Sequence, residues 1–289
     1  MRVGNLKGRA VLFTEVGVVD VERASDGRFP SGIHALYGEW DAFAAWAADL
    51  SIDVDATAFR AEDLEAPSPT PRQVFAVGLN YREHAVESGF AIPGSPTVFT
   101  KFPSCITGPV TRVELPVDGS TDWEVELVAV ISRPAFRVSV ADAWDHVAGL
   151  TIGQDLSERI MQTAGPAPQF SLGKSFSGFG PTGPWLVTPD EFPDRDDIAL
   201  GCRVNGVEMQ NGSTRDLVFP VAELVSRLSH TVTLFPGDLI FTGTPAGVGM
   251  GRDPQVYLQP GDVLESFIEG IGELRQELVA TGEGVDRMP

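Results

Sequence analysis

Cysteine is scarce. The 289 residues hold two, Cys105 and Cys202, far apart and with no CxxC spacing. That argues against a disulfide framework or a zinc–cysteine site, and two buried free thiols are expected. Basic charge is also short: 21 Lys and Arg face 40 Asp and Glu, a formal net charge of −19. A chain so charged is disfavoured as a general binder of nucleic acid or anionic membrane. An anionic small molecule is still allowed, because a local site can invert the global field. The acids are spread without a long block, as on a solvated surface. Long apolar runs are missing too. None approaches the ~20 residues that span a bilayer, and the N-terminal run Ala10 to Phe13 is too short for a signal-peptide core. A soluble, cytoplasmic protein without nucleic-acid or membrane partners is expected.

What is present is apolar material, 43% of the chain, enough for a sizeable core in one large domain or two smaller ones. Residues 1–66 read as a small α/β unit. "GRAVLFTEVGVVDVE" suggests two short strands. "EWDAFAAWAADL" suggests a helix, with Trp40, Phe43, Ala44, Ala47 and Leu50 at helical spacing. "EAPSPTP" follows. Its prolines remove amide donors and restrain their neighbours, so residues 67–72 read as a linker. From Gln73 to the end the chain is β-rich: "QVFAVGLNY", "PTVFTKF", "EVELVAVI" and "GDLIFTGTP" are short runs bounded by Gly and Pro. Helices are few. "SVADAWDHV" has Ser139 as an N-cap candidate. "FPVAELVSRLS" carries Val221, Leu224, Val225 and Leu228 on one stripe. No βαβ series suggests a doubly wound sheet or a (β/α) barrel. The fold class is therefore α+β and β-rich.

"TDWEVELVAVISR" raises the first chemical question. It reads as a strand, so Glu124 and Glu126 point the same way. Two such carboxylates on an apolar strand repel and lose hydration, which suggests a cation between them. "GLTIGQDLSERIMQ" reads as a strand running into Asp155 and then a helical turn. A helix from Asp155 would place Arg159 and Gln162 on its face, and an Asp155–Arg159 surface pair is the plain alternative. Glu124, Glu126 and Asp155 together offer hard oxygen donors that suit Mg²⁺, Mn²⁺ or Ca²⁺ and not zinc. "SLGKSFSG" resembles the end of a phosphate loop, but Pro168 stands where that loop needs glycine. Lys174, taken alone, reads as an exposed lysine. In "VGLNYREHAVESG", His84 and Glu87 are three apart and within reach on one helical turn. A His oriented by a carboxylate makes a base near neutral pH, while a surface pair is the plain alternative. His34, His146 and His230 have no such company and read as structural or surface residues.

These segments, with "FTKFPS", "LGKSF", "VNGVEMQNGSTRDLVF" and "TGTPAGVG", occur in an order that resembles the fumarylacetoacetate hydrolase family. The resemblance covers about Gln73 to Leu278 and lies nearest the bacterial acylpyruvase and fumarylpyruvate hydrolase-like members. It implies a mixed β-sandwich roll after a small N-terminal domain, and a homodimer. It implies that Glu124, Glu126 and Asp155 hold the divalent ion, Mg²⁺ first, and that His84 and Glu87 form a lid dyad that activates water. Lys174 matches the family's active-site lysine. Arg159, Gln162 and Thr244 match residues at the substrate's acid end, and Tyr81 and Lys101 lie in matching substrate-binding motifs. Leu172 and Phe102 depart from residues common in the family, Arg and Pro, beside the expected pocket.

The implied activity is cleavage of a C–C bond in a 2,4-dioxo acid, giving a 2-oxo acid and a carboxylic acid, in the breakdown of aromatic compounds. The loop Gly78 to Gly94 is expected to act as a lid. An oxaloacetate-type decarboxylase or a 2-hydroxymuconate-type isomerase on the same site is the alternative. A structural Ca²⁺ site in a binding protein would need neither Lys174, Arg159 nor the His–Glu pair.

Overall fold

A computed structural model describes residues 1–50, 56–87, 89 and 91–282. Val125–Ile131 is its central strand, and all of its residues are buried. A strand buried on both faces needs apolar residues at consecutive positions, which "VELVAVI" supplies with one exception, Glu126. This strand pairs antiparallel with Val147–Gln154 on one side and with Leu239–Phe241 on the other. The sheet extends in the order Gly17–Asp20, Arg9–Thr14, Arg2–Leu6, Gly180–Val187, Val147–Gln154, Val125–Ile131, Leu239–Phe241, Val74–Gly78, Thr97–Thr100. Leu239–Phe241 and Val74–Gly78 run parallel, so the sheet is mixed.

A second sheet is ordered Val207–Ser213, Ala199–Val204, Val263–Ile268, Gly272–Ala280, Val110–Leu115. Its middle strands pack on Val125–Ile131 and Val147–Gln154, which makes a two-layer β-rich core. Gln154 crosses between the layers, its Nε2 donating to Ser266 Oγ at 2.9 Å. Gly153 lies opposite Glu126 in the ladder. A Cβ there would come within 2.6 Å of Val128 Cγ2. Only glycine lets the central strand and its neighbours close up at the level of the acids.

The N-terminal residues form the expected two strands and a helix, Trp40–Ala48. They also form a strand the pattern did not reveal, Arg2–Leu6, which pairs with Gly180–Val187. Arg2–Leu6 and Val74–Gly78, on either side of the Pro-rich segment, lie in the same sheet. That segment is packed in place: Tyr37 donates to the Pro67 carbonyl at 2.9 Å, and Ser68 to the Gly237 carbonyl at 2.6 Å. Beneath the helix lies an aromatic cluster of Phe29, Tyr37, Trp40, Phe43 and Trp46.

Two helix expectations are corrected. After Ser139 there is only a short 3-10 turn, Ala143–His146. The next strand starts at Val147 and leaves no room for further turns, although Ser139 Oγ still accepts the Asp142 N–H at 3.3 Å. The segment after Asp155 is not helical either. The Asp155 N–H donates to the Glu124 carbonyl at 2.9 Å, and Ser157–Glu158 pair with Thr121–Asp122. The backbone donors are thus taken by the adjacent chain, and the helical turn begins only at Arg159. The stripe on Val221–Ser229 is buried as expected. Both cysteines are buried free thiols. Among the described residues no helix is long and apolar enough to cross a membrane.

Phe43→Ala should lower unfolding free energy by about 3–5 kcal/mol, because it empties the centre of the aromatic cluster. Urea denaturation measures this, and a loss below about 1 kcal/mol would contradict the packing described.

Candidate active site

The central strand and its neighbour bring three carboxylates together. Oxygens of Glu124, Glu126 and Asp155 lie within 4.8 Å of one another, and all three residues are buried. Glu124 immediately precedes the central strand, Glu126 lies within it, and Asp155 follows Val147–Gln154. The period-two spacing puts both glutamates on one side, and the antiparallel register carries Asp155 to them.

Cations surround the acids. Lys174 Nζ donates to Glu124 Oε2 at 2.6 Å and to Asp155 Oδ2 at 2.8 Å. Lys101 Nζ donates to Asp155 Oδ1 at 2.7 Å and to the Lys174 carbonyl. Lys174 is thus not the exposed lysine its local sequence suggests but is 2% exposed. Burial pushes its ammonium down, but Asp155 and Glu124 outweigh that and raise it. Burial pushes the Glu124 carboxyl up, yet Lys174, Arg159 and His84 hold it down at about 2. Glu126 goes the other way. Burial, with Asp155 and Glu124 as negative neighbours, pushes it well above the usual carboxylate range, against the pull of Lys174 and the Gly243 N–H, which it accepts at 2.7 Å. A hard divalent cation fits this donor set: three carboxylates of which one lacks a cationic hydrogen-bond partner among the described residues.

Arg159 is placed differently from expectation. Its Nε and Nη2 donate to Asp122 Oδ2 at 2.9 and 2.7 Å. Its Nη2 also lies 2.8 Å from Glu124 Oε1, and its Nη1 donates to Gln162 Oε1 at 2.8 Å. No helix links it to Asp155. Thr244 is likewise committed: its hydroxyl donates to the Val125 carbonyl at 2.8 Å and accepts from Gln210 Nε2 at 2.7 Å. Tyr81 is buried beside Glu126, and its hydroxyl finds no partner among the described residues.

His84 and Glu87 sit on the helix Arg82–Glu87, with His84 Nδ1 3.3 Å from Glu87 Oε2. Glu87 is fixed from the other side by the Gly247 N–H, 3.0 and 3.1 Å from its two oxygens. Gly247 has φ +107°, and a Cβ there would strike the Met209 carbonyl, so this loop needs glycine. Positions 88 and 90 of the expected lid lie outside the described residues. Leu172 and Phe102 are both exposed.

Sequence reading missed Asp122, Gln210 and the amides of Gly243 and Gly247. Asp122 had a signal: it extends the Glu124–Glu126 spacing two residues upstream. The amides have none, because every residue but proline carries one.

The family profile for the fumarylacetoacetate (FAA) hydrolase C-terminal region matches residues 73–279. The chain belongs to the fumarylacetoacetate hydrolase family. It is 46% identical over 208 residues to a Sphingomonas 2,4-didehydro-3-deoxy-L-rhamnonate hydrolase, covering 71% of this chain and 73% of that one. It is 42% identical over 215 residues to a mitochondrial oxaloacetate tautomerase of Bos taurus, 74% of this chain and 68% of the relative. A solved Mycobacterium smegmatis protein is 53% identical with a TM-score of 0.93, covering 97% of this chain and 100% of that one. Fumarylpyruvate hydrolase from Pseudomonas aeruginosa, solved with Mn²⁺ and pyruvate, is 31% identical with a TM-score of 0.66, covering 73% and 90%. The β-rich mixed fold is therefore that of the family.

Mn²⁺ should raise the melting temperature of the protein, since a ligand that binds only the folded state stabilises it. Glu126→Gln should abolish most of that shift in differential scanning fluorimetry. An unchanged shift would show that the ion does not use Glu126.

Proposed function

We propose that this chain is a divalent-metal-dependent hydrolase that cleaves the C–C bond of a 2,4-dioxo acid of the acylpyruvate or fumarylpyruvate type. The observation that carries this reading is the His84–Glu87 pair beside the acid cluster. Glu87 is held by the Gly247 N–H and lies against His84 Nδ1. A carboxylate on Nδ1 favours the tautomer whose Nε2 is free to accept a proton. His84 is also near enough to lower the Glu124 carboxyl.

Glu124, Glu126 and Asp155 would hold Mg²⁺, with Mn²⁺ or Ca²⁺ as substitutes. When bound there, the ion supplies Lewis acidity toward the oxygens of a 2-oxo acid. His84 takes a proton from water, whose hydroxyl joins the distal acyl carbon. The electrons of the C–C bond pass to the 2-oxo fragment, and the proton returns to its carbon. Lys174, kept protonated by its carboxylate neighbours, would stabilise the charge that develops on a substrate oxygen. Tyr81 has a hydroxyl to offer the substrate, and Gln162 orients Arg159. Lys101, Arg159 and Thr244 spend most of their hydrogen bonds within the protein, so they shape the substrate subsite more than they grip its occupant.

The Sphingomonas relative supports this choice, because its named substrate is itself a 2,4-didehydro-3-deoxy acid. The Pseudomonas structure supports a divalent ion and a 2-oxo acid product. The tautomerase relative favours proton transfer on oxaloacetate without attack by water, a second reading that stands beside an oxaloacetate-type decarboxylase or a 2-hydroxymuconate-type isomerase on the same site. A homodimer belongs to the proposal by family resemblance, and a cytoplasmic location as the default reading of the sequence.

The test is incubation with Mg²⁺ or Mn²⁺, with an EDTA control, on acetylpyruvate, fumarylpyruvate and oxaloacetate. Metal-dependent cleavage to pyruvate and an acid is expected, read by loss of diketo absorbance and by mass spectrometry. Enol–keto exchange or CO₂ release from oxaloacetate, without cleavage of either dioxo acid, would overturn the hydrolase in favour of the second reading. His84→Ala should lower kcat about 10²- to 10⁴-fold with Mn²⁺ affinity retained. Full turnover in that variant would remove His84 as the base.

A further inference from the structure

Asp122 is fully buried, yet it is not one of the three converging acids. Its carboxylate gathers donors from three places. Arg159 Nε and Nη2 reach Oδ2 at 2.9 and 2.7 Å. The Met250 N–H reaches Oδ2 at 3.0 Å, and the Gly249 N–H reaches Oδ1 at 2.7 Å. The Trp123 N–H adds a contact to Oδ1 at 2.8 Å. Arg159 Nη2 therefore bridges two carboxylates, since it also lies 2.8 Å from Glu124 Oε1. The other oxygen of Glu124 is taken by Lys174 at 2.6 Å.

This matters because Glu124 must serve a divalent cation while both of its oxygens touch positive groups. A guanidinium resting on Glu124 alone would compete with the cation for the same charge. Asp122 takes up two of the guanidinium's donors and one unit of its charge. In a buried site such a charge is weakly screened, and a residue one contact away from a ligand tunes the ligand's basicity.

We infer that Asp122 is a positioning residue which, by neutralising Arg159, sets the divalent-cation affinity of the Glu124–Glu126–Asp155 cluster. The inference rests on the metal site of the proposed function. A purely structural role is the competing account: Asp122 would merely anchor the 249–250 amides, close to the Gly247 amide that holds Glu87.

The two accounts separate in Mn²⁺ titrations of the full chain, read by electron paramagnetic resonance of free Mn²⁺, with folding checked by circular dichroism. Asp122→Asn should weaken Mn²⁺ binding about tenfold to a hundredfold. Arg159→Gln should bind Mn²⁺ as tightly as wild type or tighter. In the Arg159→Gln background, Asp122→Asn should cost little Mn²⁺ affinity, a non-additivity that a loop anchor would not produce. Wild-type affinity in folded Asp122→Asn would overturn the inference. So would a double variant as weak as Asp122→Asn alone. Should Asp122→Asn fail to fold, Arg159→Gln decides by itself, and weaker binding in that variant overturns the inference. Absence of Mn²⁺ binding by wild type would remove the metal site and this inference with it. Binding by wild type with unmoved variants would remove the inference alone.

Discussion

Buried charge must be compensated, and the site is organised around that requirement. Removing an ion from water costs several kcal/mol unless partners replace its hydration. Asp122, Glu124, Glu126 and Asp155 are all buried, as are Lys101, Lys174 and Arg159. Lys174 joins Glu124 to Asp155, Lys101 adds to Asp155, and Arg159 joins Asp122 to Glu124. Four acids against three cations leave one negative charge over. It falls on Glu126, whose partner is the neutral Gly243 N–H. With the oxygens of Glu124 and Asp155 close by, that unpaired carboxylate makes a donor set that a hard divalent cation fits.

The fold serves this arrangement by bringing distant segments onto one short stretch of strand. The central strand supplies Glu126, and the residue before it is Glu124. The adjacent strand ends one residue before Asp155. The turn Phe170–Gly173 delivers Lys174 at its end. The loop after Leu239–Phe241 supplies the amides that hold Glu126, Asp122 and Glu87. That loop therefore ties the acid cluster to the His84 helix through backbone donors rather than side chains. Its glycines are needed because those amides must approach carboxylates and neighbouring backbone closely.

Where the sequence reading fell short, the reason is physical in each case. Lys174 looked exposed because a lysine is usually solvated, and only the neighbouring carboxylates reverse that. Arg159 looked like a helical neighbour of Asp155 because spacing counts residues and cannot see a strand pairing. Ser157–Glu158 pair with Thr121–Asp122, and that ladder turns Arg159 toward Asp122. The Pro-rich segment lacks backbone donors at its prolines, and its Pro67 carbonyl and Ser68 hydroxyl bond into the core, contacts that the local sequence does not show.

The sequence by itself determined the strand that bears Glu124 and Glu126, the β-rich class of the second part, the stripe on Val221–Ser229 and the pairing of His84 with Glu87. These depend on periodicity and on short-range reach, which adjacent residues encode. Tertiary structure alone decided that Lys174 bridges Glu124 and Asp155, that Arg159 is divided between Asp122 and Glu124, and that the N-terminal strand extends the main sheet. Such contacts join residues far apart in the chain. Their geometry follows from sheet register and from the compensation of buried charge, neither of which any single segment contains.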